Sequence, residues 1–143
     1  MNANLKVEGS IAINAATERV WNTLVSPEKI KRYLFGSDVD TDWRIGSPIS
    51  FAREYEGKRY VDKGELLEVD KGKCLKFTFF SSQEGYEDSP GNYSTITYTI
   101  NGMGDHKTTL TFLREHIPIE FERKNQERYL PYLLQEIKKL AEE

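Results

Sequence analysis

The chain has 143 residues, of which 38% are hydrophobic and 30% charged, the balance of a globular protein rather than a disordered one. Its net charge is −3 and its basic residues are scattered, which excludes an obvious nucleic-acid surface. No stretch approaches the ~20 apolar residues of a membrane span, and no secretion signal opens the sequence. The one cysteine, Cys74, cannot form an intrachain disulfide. We expect a cytoplasmic protein with a single domain over residues 1–143.

The first part of the chain predicts one strand and two short helices. Leu5 to Ile13 alternate between apolar and polar side chains, which is typical of a strand with one wet face. Asn14 to Val25 change to helical spacing. Ser26-Pro27-Glu28 is a helix start signal and opens a second short helix, which Gly36 ends.

An acidic loop is predicted from Ser37 to Ser47. The aspartates between Asp38 and Asp42 have the spacing of the first half of a calcium loop. However, Trp43 and Ile49 stand where that motif needs its glycine and its bidentate glutamate. We therefore predict a solvated loop without a metal.

The middle of the chain alternates with period two and predicts five more strands. These are Pro48 to Gly57, Tyr60 to Val69, Leu75 to Ser81, Tyr93 to Asn101 and Lys107 to Glu115. A Gly-containing turn from Asn101 to Asp105 joins the last two strands as a hairpin. Together with the first strand, this predicts six antiparallel strands.

The final segment, Ile119 to Glu143, carries an apolar stripe and is the only long helical pattern. The stripe consists of Leu130, Leu133, Leu134, Ile137, Leu140 and Ala141. Pro131 lacks an amide donor, so it either kinks this helix or begins it after an irregular lead-in. One long helix on one antiparallel sheet predicts an α+β fold.

The space between sheet and helix is the predicted site, an apolar chamber with one cationic donor. Arg53 shares a strand face with Phe51 and Tyr55. If that face points inward, Arg53 needs an acid, which Glu65, Glu68 or a ligand carboxylate would supply. A bulge that turns Arg53 outward is the open alternative. The predicted ligand-binding residues are Tyr33, Trp43, Phe51, Arg53, Tyr55, Phe77, Phe79, Tyr98, Tyr129 and Leu133, although aromatic residues such as these also build ordinary cores.

Catalytic patterns are not found. His106 and His116 are ten residues apart, which matches no metal-ligand pair. Ser81 and Ser82 lack an elbow motif, and Cys74 is interpreted as a structural thiol. No catalytic residue, metal or cofactor is predicted.

A series of sequence blocks resembles a known family in order and spacing. The blocks are Ile11-x-Ile13-x-Ala15, Val20-Trp21, Ser26-Pro27-Glu28, Trp43-x-x-Gly46, Gly64 to Val69, Leu75 to Phe79, Thr95 to Tyr98 and Thr108 to Phe112. They are similar to the activator of heat-shock protein 90 ATPase homologue-like family of the START and birch-pollen-allergen superfamily, SRPBCC. The resemblance implies a helix-grip fold, in which a curved six-stranded sheet wraps around the C-terminal helix and encloses a cavity.

Three functions are compatible with this resemblance. The first, which we predict, is binding of a small hydrophobic or lipid-like molecule, including an acidic one, in the cavity; the other two are alternatives to it. The second is a chaperone-associated interaction domain, and the third is a cyclase- or hydrolase-type enzyme. A roomy cavity faced by a polar group favours binding or catalysis, whereas a filled interior with an exposed apolar patch favours the interaction domain. We expect a monomer or a homodimer.

Overall fold

A computed structural model describes residues 4–143, in which strands and helices follow the predicted order. The strands are β1 Val7–Ile13, β2 Asp38–Asp40, β3 Pro48–Tyr55, β4 Lys58–Asp70, β5 Cys74–Phe79, β6 Ser94–Gly102 and β7 Thr108–Glu115. The α-helices are α1 Thr17–Val25, α2 Pro27–Tyr33 and α3 Glu120–Glu142. Two short 3-10 turns, Ser82–Glu84 and Pro90–Asn92, lie between β5 and β6.

The strands form one antiparallel sheet in the order β1-β7-β6-β5-β4-β3-β2. The hairpin strand β7 returns between β6 and β1, so the first and last strands of the sequence are neighbours. Helix α3 packs against β1, α1 and α2. This arrangement is the predicted α+β helix-grip fold, with two short helices between the first two strands.

The predicted number of strands is wrong by one. Residues Asp38–Asp40, which we expected to be loop, form the edge strand β2 and pair with β3. Val39 lies opposite Phe51 and is the only apolar residue of the three. A segment of three residues is too short to show an alternation of apolar and polar side chains, and aspartate has a low strand propensity. Backbone pairing with β3 therefore makes this segment a strand.

Strand β4 contains an irregularity. The register between β4 and β5 shifts between Leu66 and Glu68, which is the signature of a β-bulge. Close by, the backbone of β5 approaches Gly64 so tightly that a Cβ atom there would lie 1.7 Å from the Thr78 carbonyl oxygen. Only glycine fits this position, because any side chain there would collide with the backbone of β5.

Helix α3 can lie directly on the inner face of the sheet because one residue of β1 has no side chain. Gly9 of β1 lies under Leu130, and a Cβ atom at Gly9 would come within 2.8 Å of the Leu130 side chain. The buried residues of α3 include Leu130, Leu133, Leu134, Ile137, Leu140 and Ala141, the predicted stripe. They pack on inner-face residues such as Val7, Ile13, Leu110 and Phe112.

Helix α3 is continuous through Pro131, so the irregular lead-in before Leu130 is wrong. Proline has no N–H, and the helical bond to the Glu127 carbonyl cannot form. Pro131 is exposed, and buried residues on both sides of it, Leu130 before it and Leu134 after it among them, hold the two halves against the body. Packing therefore outweighs the lost backbone bond.

The apolar stripe of α3 should dominate the stability of the fold. Ile137 is 0% exposed, so Ile137→Ala should lower the free energy of unfolding by about 2–5 kcal/mol through the cavity that it leaves. Lys139, two residues away, is exposed, and Lys139→Ala should leave the urea midpoint nearly unchanged. Equal losses in urea melts would contradict this placement of the helix.

Candidate functional site

A buried ion pair closes one end of the space between the sheet and α3. Arg114 of β7 contacts Glu122 of α3, and both side chains are about 6% exposed. Arg114 also donates from Nε to Ser94 Oγ at 2.9 Å and from Nη1 to Gln126 Oε1 at 3.0 Å. The guanidinium lies 5.1 Å from the centre of the Phe79 ring. Every side of the cation is therefore satisfied, as burial of a charge requires.

A second buried carboxylate stands at the same end, on β4. Asp62 is 4% exposed and accepts hydrogen bonds from the Ser82 backbone N–H at 3.0 Å and from its hydroxyl at 3.1 Å. Arg53 Nη1 donates to Asp62 Oδ2 at 2.7 Å. Arg53 also contacts Gln83. We call Arg53, Asp62, Arg114 and Glu122 the polar rim.

The segment between β5 and β6 lies across this polar rim. Its Gln83 bonds Arg53 on one side, and its Tyr86 hydroxyl donates to Glu122 on the other. The Tyr86 ring also packs edge-on against Phe80 at 5.6 Å between centroids. The segment thus closes the end of the interior with side-chain contacts to both charged pairs.

The predicted ligand-binding residues do not all come together. Five are buried in the core between sheet and helices: Tyr33, Phe51, Phe77, Tyr98 and Leu133. Trp43 and Phe79 are half-buried and pack against that core. Arg53 lies at the rim with 24% of its side chain exposed. Tyr55 and Tyr129 are each 56% exposed, so neither is enclosed between the sheet and the helices.

The acid that pairs with Arg53 is neither Glu65 nor Glu68, both of which are exposed. It is Asp62, which pairs in register with Phe51 and shares its face of the sheet. Arg53 therefore keeps the inward face that alternation gives it, and the sheet itself supplies its counter-charge. The bulge that we considered in β3 lies in β4 instead.

The sequence analysis did not identify the Arg114–Glu122 pair, although the inward position of Arg114 could have been predicted. Thr108, Leu110, Phe112 and Arg114 alternate on one face of β7, and all are buried. The same alternation that drew attention to Arg53 applies to Arg114. Glu122 gave no signal, because it precedes the apolar stripe of α3 and sits among other charged residues.

The pKa values of Tyr33, Tyr98 and Cys74 are raised rather than lowered, which is the opposite of what activates a nucleophile or a base. Burial raises the pKa of Tyr33 well above its usual value, and its hydroxyl donates to the Leu24 carbonyl at 2.8 Å. Burial likewise raises the pKa of Tyr98. The pKa of Cys74 is raised to about 11, first by burial and then by its hydrogen bond with Glu68. All three groups stay protonated at neutral pH.

Neither a metal cluster nor a membrane-spanning helix is found among residues 4–143. Two of the aspartates of the calcium-like spacing lie in β2, where Asp38 is 3.1 Å from Lys31 Nζ. The third, Asp42, accepts a hydrogen bond from the Arg44 backbone N–H at 3.0 Å. Asp38 and Asp42 therefore have separate local partners.

Two open grooves of about 500 Å³ lie outside the predicted chamber. One, of about 510 Å³, lies between β1 and α3 and is lined by residues such as Glu8, Gly9 and Pro131. The other, of about 500 Å³, lies beside Thr17 and Cys74. None of the ten predicted ligand-binding residues lines either groove. Within the described residues, every buried side-chain nitrogen or oxygen has a hydrogen-bond partner.

The outward side of α3 carries exposed aromatic residues. Phe121, Tyr129 and Tyr132 are 64%, 56% and 66% exposed. At 3.6 residues per turn they fall on one side of the helix, together with the exposed Arg128. We call these four residues the aromatic face of α3. Exposed aromatic side chains on the outer side of a helix whose inner side is buried offer a surface for a partner.

Breaking the buried pair on one side only should be costly. Arg114→Met or Glu122→Leu alone should lower the free energy of unfolding by about 3–5 kcal/mol, because each leaves a buried charge without its partner. The double variant should lose far less than the sum.

The matched control is Arg123→Met, which breaks the exposed pairs of Arg123 with Glu120 and Glu127 on the same helix. It should change the urea midpoint little, since surface pairs contribute little. Additive losses in the double variant would mean that Arg114 and Glu122 do not act as a pair.

Comparison with known proteins gives one family. The family model of the Activator of Hsp90 ATPase homolog 1-like protein matches residues 14–142. A solved protein from Cytophaga hutchinsonii is 34% identical with a TM-score of 0.83, covering 99% of this chain and 97% of that one. No curated protein matches the chain.

Two more distant structures share the fold. The Aha1 dimer from Colwellia psychrerythraea is 15% identical with a TM-score of 0.73, and 96% of each chain is covered. An HSP90 activator from Plasmodium falciparum is 17% identical with a TM-score of 0.69, covering 92% of this chain and 96% of that one. At these identities the likeness extends to the fold alone.

Proposed function

The chain belongs to the family of Activator of Hsp90 ATPase homolog 1-like proteins, and we propose that it is an interaction domain that binds an Hsp90-type chaperone and stimulates its ATPase. The observation that carries the proposal is the aromatic face of α3 above a filled interior. The family that the chain matches is named after an activator of the Hsp90 ATPase, so an Hsp90-type chaperone is the partner that the family indicates. An HSP90 activator from Plasmodium falciparum shares the fold, so the fold is compatible with this role.

The filled interior argues against a roomy cavity as the main functional feature. Phe51 packs against Phe77 and Phe79 with ring centroids 5.8 and 6.2 Å apart, and Tyr98 packs edge-on against Phe112 at 5.4 Å. These contacts use the aromatic surface that would otherwise line a ligand chamber. The residues are therefore better explained as core.

The aromatic face has the composition of an interaction hot spot. Tyr and Arg are enriched at the energetic centres of protein interfaces because they combine large apolar area with a polar tip. Tyr129 and Tyr132 are one turn apart, with Arg128 beside them and Phe121 two turns away along the same side. Their exposed area has no structural task within the described chain, and a partner surface would give it one.

Stimulation of a purified Hsp90-type ATPase tests the proposal. Adding the protein should raise the rate of ATP hydrolysis, and the variant Tyr129→Ala/Tyr132→Ala should lose most of that stimulation because two interface anchors are removed. Tyr55→Ala is the matched control, since Tyr55 is also 56% exposed but lies on β3. If wild-type protein neither binds nor stimulates bacterial and eukaryotic Hsp90-type chaperones, the proposal is wrong.

A second function, binding of a small hydrophobic acid, is supported by the polar rim. Arg53 and Arg114 stand at the end of an apolar interior, with the Phe79 ring facing the Arg114 guanidinium. A carboxylate that displaced Gln83 from Arg53 would gain a charge-assisted bond, which contributes about 1.5–3 kcal/mol. An alkyl or aromatic body would then lie against Phe51 and Phe79, at about 25 cal/mol per Å² removed from water.

Thermal melts with fatty or aromatic acids and their neutral analogues test this second function. Acids should raise the melting temperature more than neutral analogues, and Arg53→Met should remove the difference while the fold persists. Equal shifts by both ligand classes would exclude Arg53 from ligand binding. No shift by either class would leave only the interaction function.

A further inference from the structure

Helix α2 ends in a hydrogen-bonded turn that places Phe35 in an unusual backbone conformation. The Gly36 N–H donates to the Lys31 carbonyl at 2.6 Å. The Phe35 N–H donates to the Arg32 carbonyl at 3.3 Å. These two bonds form the Schellman motif, in which the residue after the helix cap adopts the left-handed conformation and is usually glycine. Here that residue is Phe35, with a φ of 50°.

Phenylalanine at this position destabilises the fold in two ways. The Cβ atom of a bulky residue crowds the backbone in the left-handed region, which strains the chain. The Phe35 side chain is also 66% exposed, so burial of its ring offsets little of that strain. Trp43 has a similar φ of 61°, but its side chain packs against the core. Glycine would therefore suit the fold better at position 35, and a strained residue without a structural benefit indicates a functional role.

Helix α2 lies against α3, and electrostatic contacts between the two helices give their relative orientation. Lys29 interacts with Glu143 at the C-terminal end of α3. Arg32, further along α2, contacts Glu143 at 3.0 Å and also interacts with Glu136, about two turns earlier in α3. Later residues of α2 thus meet earlier residues of α3, so the two helices run in opposite directions.

The end of α2 therefore points toward the middle of α3, where the aromatic face lies. Phe35 follows Arg32 by about one turn, and Tyr132 precedes Glu136 by about one turn. Both aromatic side chains are 66% exposed. Phe35 thus extends the exposed aromatic surface of α3 onto the neighbouring helix.

The surroundings of the Phe35 ring favour an apolar partner surface. Lys31 lies one turn before Phe35, and its Nζ is 3.1 Å from Oδ1 of Asp38. These two opposite charges neutralise each other, and the phenyl ring itself has no hydrogen-bonding group. Such a side chain contributes most in an apolar pocket at the centre of a protein interface, where charged residues are depleted.

We propose that Phe35 is an anchor residue for the chaperone partner, present at the end of α2 for binding rather than for stability. Its ring enters an apolar pocket of the chaperone, while the aromatic face of α3 contacts the adjoining surface. This inference rests on the proposed chaperone function and adds α2 to the surface that carries it.

Binding and melting experiments on the variant Phe35→Gly test the proposal. The variant should bind a purified Hsp90-type chaperone at least about tenfold more weakly than the wild type, because an interface anchor is lost. Its melting temperature should stay the same or rise by up to about 4 °C, because the left-handed strain is relieved.

The matched control is Glu56→Gly. Glu56 has the same φ of 50° and is exposed, but it lies in the turn between β3 and β4. Its replacement should relieve the same kind of strain and keep the chaperone affinity within about twofold of wild type. Phe35→Ala separates the two effects, since alanine removes the ring but keeps the left-handed strain. It should lose as much affinity as Phe35→Gly without a gain in melting temperature.

The outcomes distinguish this inference from the function on which it rests. A chaperone that binds the wild type and Phe35→Gly equally well would overturn the anchor and leave the proposed function intact. A wild-type protein that binds no Hsp90-type chaperone would overturn both. A melting temperature of Phe35→Gly lowered by more than about 4 °C would place the ring in the core and overturn the anchor.

Vesicles of phosphatidylcholine and phosphatidylserine test the other occupant of an exposed phenylalanine, a membrane. Neither the wild type nor Phe35→Gly should bind them. If the wild type binds these vesicles and Phe35→Gly does not, while chaperone binding is the same for both, the ring is a membrane anchor and the inference is wrong.

Discussion

The fold depends on one helix covering the inner face of one sheet. Seven strands present a continuous row of apolar side chains, and α3 is the only long helix among the described residues that can bury them. The approach is possible because Gly9 leaves no Cβ atom beneath Leu130. The polar rim fixes the N-terminal half of α3 through the Arg114–Glu122 pair, while the apolar stripe fixes the C-terminal half.

This constraint also explains why the interior is filled. Phe51 packs against Phe77 and Tyr98 packs against Phe112 in the middle of the core, and the buried charges of the described residues lie at one end of it. Placing Arg114 deeper would leave its guanidinium without the oxygen partners of Ser94 and Gln126. The distribution of polar and apolar groups follows from the need to satisfy every buried charge.

Much of the fold was predictable, because period-two alternation and the α3 stripe both depend on burial on one face. Tyr129 was predicted to line the interior together with the buried stripe of α3. It directly precedes Leu130, however, and adjacent residues of a helix point about 100° apart, so burial of Leu130 leaves Tyr129 exposed. The partner of Arg53 could not be predicted, since Asp62 meets it only through the β3–β4 register. The burial of Glu122 could not be predicted either. It depends on how α3 lies relative to β7, and no local sequence pattern encodes that long-range contact.

The same topology makes β1 an edge strand, and β1 has neither a proline nor an inward-pointing charge, two features that protect sheet edges from pairing. Because β7 enters between β6 and β1, the first strand becomes the outermost one, and α3 must cross it to return over the sheet. The crossing needs a close approach, which rules out a side chain at Gly9 and leaves the groove that Pro131 borders. An inward-pointing charge in β1 would protect the edge but would place that charge beneath α3, where burial without a partner is costly. The strand that makes helix packing possible is therefore the one that the fold has least means to protect.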